Sequence, residues 1–198
     1  MTRFRVIIFA AGAWIGIASA LAGEPASPSN VTAPCQNCHG VTGDSTSPAV
    51  PRLNGQQANY IESRLKSFFD PTRQTPAASH AMWDISTHIG DALIPEIAKY
   101  YSSHMPTPAH GSGSLAAEGQ KIYMRGVGEK IPACASCHGD MGDGRNDVPR
   151  IAGQHADYLR SQLNAFKTTM RYHAGMDINA RNLTQEQIDA LVAYLANG

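Results

Sequence analysis

The sequence predicts an all-α protein built from two tandem domains. Three observations support this prediction. Apolar residues recur at helical spacing, the chain contains an internal repeat of roughly a hundred residues, and a short cysteine–histidine signature occurs once in each copy of that repeat. No stretch alternates β-branched and polar residues, which is the pattern typical of half-buried strands. We therefore expect helices separated by long loops.

The repeat is clearest just after each signature. Residues 51–56 (PRLNGQ) match residues 149–154 (PRIAGQ). Further matches follow in register: Tyr60 with Tyr158, Leu65 with Leu163, Phe68 with Phe166, Arg73 with Arg171, and Met82 with Met176. A period this long indicates tandem domains and not a solenoid. We expect a first domain at residues 23–103 (the first half), a Pro/Gly/Ser-rich linker at 104–114, and a second domain at 115–198 (the second half).

The helices are predicted from apolar spacing and from their end signals. Three apolar residues per half recur at i, i+4 and i+7, on one helical face: Ile61, Leu65 and Phe68, then Leu159, Leu163 and Phe166. The last helix has a capping box, Thr184 with Gln187, and a hydrophobic staple, Leu183 with Ile188. The corresponding helix of the first half should begin near Pro95, because proline is tolerated only in the first turn.

The signature is Cys-x-x-Cys-His followed by glycine, at residues 35–40 (CQNCHG) and 134–139 (CASCHG), and it uses all four cysteines of the chain. This is the attachment site of c-type haem: two thiols bond to the haem vinyl groups, and the histidine binds the iron. We therefore predict two covalently attached haem c groups. The thiols are those of Cys35, Cys38, Cys134 and Cys137, and the iron ligands are His39 and His138.

Two other uses of paired cysteines fit less well. A four-cysteine zinc site gives no reason for a histidine directly after each pair. A thioredoxin-like redox site needs a single Cys-x-x-Cys in a βαβ context, which this sequence lacks. We expect no disulfide, because every cysteine is used by a signature.

The first residues have the pattern of a signal peptide. Arg3 and Arg5 precede an apolar run, and small residues then offer an A-x-A-type cleavage site at Ala20–Ala22. We expect a signal peptide at residues 1–22 and a periplasmic protein, without stable membrane insertion after cleavage. The alternative is a retained membrane anchor, because the apolar stretch is close to the shortest length that spans a bilayer.

The charge balance excludes several partners. Loss of Arg3 and Arg5 from the 16 basic side chains would leave 14 against 16 acidic ones, a formal charge of −2. No polybasic run is present, so nucleic acids and acidic membrane surfaces are not expected as partners.

Together, these residues resemble the dihaem cytochrome c4 family, a branch of the class I cytochromes c. The resemblance covers essentially the whole chain after the signal segment. It is closest at residues 118–123, 131–134, 149–154 and 158–166, and it continues up to Leu195. It implies two cytochrome c domains related by a pseudo-twofold axis, with their haem edges close together. It also implies a periplasmic electron carrier that delivers electrons toward a terminal oxidase.

The resemblance also implies a second axial ligand for each iron. In such cytochromes it is a methionine on a loop before the last helix. Met176 has that position in the second half, and Met82 has it in the first. Histidine ligation stays open as an alternative, because His80 and His88 flank Met82 and His173 precedes Met176.

By the same family analogy, the carbonyl groups of Pro51 and Pro149 accept hydrogen bonds from the ring N–H groups of His39 and His138. Arg52 and Arg150 then lie beside the haem propionates as charged donors. The alternative for the two arginines is an ordinary solvated position on the surface.

One departure from the family concerns the start of the first half. Residues 115–124 predict an N-terminal helix in the second half, with Ala116, Gly119, Ile122 and Tyr123 facing the last helix. Before Cys35 there are only residues 23–34, which contain three prolines. Proline removes a backbone donor, so we expect no helix of useful length there and a less stable first half.

The sequence therefore favours a one-electron carrier over an enzyme. Its expected partners are redox proteins, namely a terminal oxidase and an upstream reductase or dehydrogenase. Two alternatives stay open: a dihaem oxidoreductase acting on a small inorganic substrate, and an electron-accepting subunit of a dehydrogenase complex. The enzyme would need one iron with a labile ligand beside an acid or base.

Overall fold

The structure, a computed structural model, describes residues 28–69 and 78–197, and the side chains from residues 30 and 81 onward in these two stretches. Nine α-helices lie within them: α1 Pro28–His39, α2 Ala58–Phe68, α3 Ala78–Thr87, α4 Ile94–Ser102, α5 Gly113–Arg125, α6 Ala135–His138, α7 Ala156–Lys167, α8 Met176–Arg181 and α9 Gln185–Leu195. The described stretches contain isolated β-bridges but no strand. The all-α prediction is confirmed.

Several sequence predictions concern residues that the structure does not describe. The predicted signal peptide at 1–22 and the repeat position Arg73 lie outside the described residues, and so does the side chain of His80. Within the described part of the chain, no helix combines the length and the hydrophobicity needed to cross a membrane.

The first half is built on a small core between α1, α2 and α4. Its buried members are Ile61, Leu65, Ile94, Ile97, Ala98 and Tyr101. Helix α4 begins at Ile94 with Pro95 in its first turn, as the sequence predicted. There the missing N–H has no intrahelical partner to lose, and the fixed φ of proline already suits a helix.

The expectation that prolines prevent a helix before Cys35 is wrong. Helix α1 runs from Pro28 to His39 with Pro34 inside it. Tertiary packing explains this result: Thr32 is fully buried, and Val31 and Cys35 pack against the first-half core. Such packing outweighs the local cost of an internal proline, because most helix stability in proteins comes from the buried face. The cysteine signature is thus the last turn of a longer helix.

The second half has a larger core, in which α5 crosses α9 at very short range. The buried residues of α5 are the four that the sequence pointed toward the last helix: Ala116, Gly119, Ile122 and Tyr123. A Cβ atom at Gly119 would lie 1.9 Å from the carbonyl oxygen of Ala190 in α9. Only glycine therefore allows this approach between the two backbones.

Helix α9 begins with the predicted capping box. The Thr184 side chain accepts a hydrogen bond from the Gln187 backbone N–H, and the Gln187 side chain accepts one from the Thr184 N–H at 2.9 Å. Leu183 and Ile188 are both buried in the second-half core. These local signals define where the helix starts, and its apolar face then completes the core.

Candidate haem sites and the interface between them

In the first half, the signature residues lie on one face of the last turn of α1. Cys35, Cys38 and His39 are related by i, i+3 and i+4 spacing, which places their side chains together on a helix. Cys35 is half-buried, Cys38 is exposed and His39 is buried. The turn therefore offers two thiols and one imidazole to a single group.

The second half repeats this arrangement on a shorter helix. Cys134 is the N-cap residue of α6, and Cys137 and His138 end that helix. Cys134 is half-buried, Cys137 is exposed and His138 is buried. The same side chains are thus presented in the same order and with similar burial in both halves.

Each signature histidine is held by one backbone carbonyl. His39 Nδ1 lies 2.9 Å from the Pro51 oxygen, and His138 Nδ1 lies 2.9 Å from the Pro149 oxygen. A carbonyl oxygen only accepts, so Nδ1 carries the proton and Nε2 keeps its lone pair. Burial lowers the pKa of both imidazoles, and the charge of His173 lowers that of His138 further. Both rings are thereby held in the neutral form that binds a metal.

Burial also affects the first thiol of each signature. It raises the pKa of Cys35, and it raises the pKa of Cys134 to about 11. A thiol with a raised pKa stays protonated near neutral pH and is a poor nucleophile. These cysteines are therefore suited to a permanent covalent bond with an apolar group and not to redox chemistry of their own.

The two candidate methionines pack against the same cores as the signatures. Met82 lies in α3 and contacts the first-half core, as Cys35 does. Met176 is the first residue of α8 and contacts the second-half core, as Cys134 does. The fold thus brings one methionine and one signature to each core.

The histidines near these methionines have different surroundings. His88 is exposed, and its Nδ1 lies 2.8 Å from the carbonyl oxygen of Asp84, one helical turn earlier. His173 is also exposed, and its Nδ1 accepts from the Gly175 backbone N–H at 3.4 Å.

Arg52 and Arg150 are not solvated surface arginines, since their side chains are each 14 % exposed. Arg52 Nε donates to Asp44 Oδ1 at 2.8 Å, and Arg150 forms the equivalent pair with Asp143. Arg52 Nη1 also donates across the interface to the Gly153 carbonyl oxygen at 2.8 Å. Both guanidinium groups are therefore held in place by the protein.

The halves meet through two glutamines, Gln56 and Gln154, for which the sequence predicted no role. Gln154 Oε1 accepts from the Arg52 backbone N–H at 2.8 Å, and Gln154 Nε2 donates to the Arg52 carbonyl at 3.1 Å. Gln56 makes the same pair of bonds with the Arg150 backbone, at 2.7 and 2.9 Å. Both glutamines end the six-residue motif that recurs in the two halves, and this recurrence was the signal that could have identified them.

A second set of interface contacts is aromatic and charged. Arg171 Nη2 donates to the Tyr60 hydroxyl of the first half at 3.0 Å, and its guanidinium stacks 4.5 Å from the Phe166 ring centroid. Burial alone would lower the pKa of Arg171, but the phenol groups of Tyr60 and Tyr158 raise it. Arg171 therefore stays charged inside the interface.

The residues around each signature fit a haem group. Each site supplies two thiols, three residues apart in the sequence, and a neutral imidazole whose Nδ1 is already bound, which leaves Nε2 for iron. Among the described residues, the Tyr101 hydroxyl is one of the buried polar groups without a hydrogen-bond partner, and Tyr101 belongs to the core against which Cys35 packs. Such an unpaired buried donor suits a bound group that carries polar substituents.

Comparison with known proteins finds similarity to cytochromes c. The Cytochrome c family profile matches residues 116–198, which is the second half. The chain is 38 % identical over 189 residues to cytochrome c-552 of Acidithiobacillus ferridurans, covering 92 % of this chain and 82 % of that protein. It is 34 % identical over 193 residues to a protein of Thiomonas intermedia named thiosulfate dehydrogenase electron acceptor, covering 92 % and 84 %.

A solved structure gives the same result for the fold. The cytochrome c4 of Acidithiobacillus ferrooxidans superposes with a TM-score of 0.76 at 38 % identity, covering 83 % of this chain and 98 % of that one. Proteins named cytochrome c4 from several other bacteria match most of the chain at 30–32 % identity. With its two signatures, the chain carries two covalently bound haem c groups. It belongs to the cytochrome c4 family of two-domain class I cytochromes.

Proposed function

We propose that this protein is a periplasmic one-electron carrier that uses two haem c groups and turns over no substrate. The single observation that carries the proposal is the matched pair of sites. In both halves, a buried imidazole donates from Nδ1 to a proline carbonyl at 2.9 Å and keeps Nε2 free. Haem supplies the one-electron couple, and the protein keeps its ligands rigid so that little reorganisation accompanies redox change.

The proposed iron ligands are His39 with Met82 and His138 with Met176. The thioether bonds are assigned to Cys35, Cys38, Cys134 and Cys137. A histidine–methionine pair leaves no open coordination position, so a small substrate could not reach the iron readily. Ligation of the iron by the methionine sulfur also raises the reduction potential of the haem, which suits a carrier near the oxidising end of a respiratory chain. A terminal oxidase is therefore the proposed acceptor.

Exposed apolar side chains beside the methionines support docking to redox partners. Trp83, which follows Met82, is 51 % exposed. Tyr172 and Ile178 lie on either side of Met176 in the sequence and are 74 % and 60 % exposed. Since the net charge is close to zero, we propose short-lived apolar encounters at these positions instead of strong electrostatic steering.

A second candidate role is that of electron acceptor for a dehydrogenase. Two relatives, at 34 % and 33 % identity, are named thiosulfate dehydrogenase electron acceptor. The same haem chemistry would serve this role, with an upstream dehydrogenase as the donor. The two roles differ only in the partner, because one carrier can accept from a dehydrogenase and donate to an oxidase.

Carbon monoxide binding and partner kinetics test the proposal. The reduced protein should not bind carbon monoxide at neutral pH, should transfer electrons to a membrane oxidase in a stopped-flow experiment, and should not turn over peroxide or thiosulfate by itself. Stoichiometric carbon monoxide binding at one haem, or rapid turnover, would instead support the dihaem oxidoreductase. Rapid reduction by a purified thiosulfate dehydrogenase would support the second role.

A further inference from the structure

A continuous set of hydrogen bonds links His39 in the first half to Gln154 in the second. The Pro51 carbonyl and the Arg52 N–H belong to one peptide group. Its oxygen accepts from His39 Nδ1 at 2.9 Å, and its N–H donates to Gln154 Oε1 at 2.8 Å. The peptide group that holds the first histidine is therefore itself held by the other half.

The second half has the mirror arrangement. The peptide group between Pro149 and Arg150 accepts from His138 Nδ1 at 2.9 Å and donates to Gln56 Oε1 of the first half at 2.7 Å. Each histidine thus reaches, through one peptide group, a glutamine that belongs to the opposite half.

Both glutamine amides are fixed in orientation. Gln56 and Gln154 are 6 % and 7 % exposed. Each Nε2 donates to an arginine carbonyl, and each Oε1 also accepts a second backbone N–H at 3.0 Å, from Gln57 and His155 respectively. A reversed amide would place donor against donor and acceptor against acceptor. Each Oε1 therefore faces its peptide N–H permanently.

Hydrogen bonds in series strengthen one another. A peptide N–H that donates to Gln154 leaves more electron density on the Pro51 oxygen, which then accepts more strongly from His39 Nδ1. A stronger bond at Nδ1 makes the imidazole a better electron donor at Nε2. A better donor favours oxidised iron over reduced iron, so the reduction potential falls.

We propose that Gln154 and Gln56 are positioning residues that act across the interface: each lowers the reduction potential of the haem in the opposite half. The proposal rests on ligation of the irons by His39 and His138, which is part of the proposed function. Through these bonds, a change in how the halves meet alters both potentials. The interface thus helps to set the redox properties of the carrier.

The test is the pair of variants Gln154→Met and Gln56→Met in the complete haem-loaded protein. Methionine keeps the length and volume of glutamine and removes all three hydrogen bonds of the side-chain amide. The two potentials are measured by redox titration followed through assigned haem-methyl NMR signals. Gln154→Met should raise the potential of the first-half haem and leave the other unchanged, and Gln56→Met should do the reverse.

Gln57→Met is the matched control. Gln57 Nε2 donates to the Asp143 carbonyl across the same interface at 2.8 Å, but this bond does not involve a histidine-binding peptide group. Gln57→Met should therefore weaken the interface without shifting the reduction potential of the haem in the opposite half. Gln154→Glu, which keeps the acceptor oxygen, should not raise the first-half potential.

The imidazole Nδ1–H signals give a readout that does not depend on electron transfer. Gln154→Met should move the His39 Nδ1–H signal in the direction of a weaker hydrogen bond and leave the His138 signal in place. The proposal is overturned if Gln154→Met shifts both potentials equally, shifts only the second-half potential, or acts no differently from Gln57→Met. Carbon monoxide binding by the unsubstituted protein would count against the proposed function, but not against the effect of Gln154 and Gln56 on the haem of the opposite half.

Discussion

The imidazole of His155, in the second half, donates from Nε2 to the carbonyl oxygen of Ser45, in the first half, over 2.9 Å. The Ser45 hydroxyl, which itself donates to the Val50 carbonyl, lies 2.9 Å from the same nitrogen. His155 is 5 % exposed. A buried histidine therefore acts as a neutral donor between the two halves, at the position that Gln57 occupies in the first repeat.

This contact predicts a pH dependence of stability. Burial lowers the pKa of His155 below its ordinary 6.5, and Arg52 lowers it further, while the Ser45 carbonyl, Asp44 and Asp157 only partly oppose this. As the pH falls through 6.5, the unfolded state binds a proton that the folded state resists. The free energy of unfolding should therefore decrease between the unfolded and folded pKa values and level off below both.

His155→Gln should reduce that slope, because glutamine keeps a donor but does not titrate. The measurement is denaturant unfolding at several pH values between 7 and 5. Gln57→Met, which removes another side-chain bond across the interface but no titratable group, is the control and should leave the slope in place. An identical slope in His155→Gln and the unsubstituted protein would contradict the prediction.

Met176→Ala should remove the axial thioether of the second-half haem. The weak near-infrared sulfur-to-iron band of the oxidised protein should lose about half of its intensity, and one of the two reduction potentials should fall. Met141→Ala, at a side chain 73 % exposed, should change neither. An unchanged band in Met176→Ala would point to another ligand, with His173 the first to test.

Gly119→Ala should destabilise the second half. The added methyl would lie 1.9 Å from the Ala190 oxygen and 2.5 Å from its carbonyl carbon, so α5 and α9 must move apart. Overpacking of this kind lowers the free energy of unfolding by about 1–3 kcal/mol. Because the clash here is with backbone atoms, we expect a loss near the top of that range. Thermal unfolding measures the loss. Gly90→Ala, which meets no atom within 4 Å, should have little effect, and equal melting temperatures for the two variants would contradict the explanation.

The first half should be the less stable of the two. Among the described residues, its core has six buried apolar side chains, whereas the second-half core has thirteen. Fewer buried contacts allow local opening at lower free energy. In hydrogen exchange of the complete protein, amides of α2 and α4 should exchange faster than those of α7 and α9. Equal protection in both halves would contradict this prediction.

Local features of the chain could be predicted well from the sequence. The start of α9 followed from Thr184 and Gln187, and the start of α4 followed from Pro95, because capping and proline geometry act over only a few residues. The same local reasoning failed at Pro34. There, Val31 packs against a core that includes residues of α4, which lies far away in the sequence.

The all-α class, the repeat and the two haem signatures could be predicted from the amino-acid sequence, because each of them is a pattern of spacing along the chain. The contacts by which one half acts on the other depend on the packing of the folded chain. The recurrence of Gln56 and Gln154 was visible in the repeat, but their partners lie 94 and 102 residues away. Hydrogen bonds over such separations depend on how the two halves pack against each other, so no local pattern can predict them.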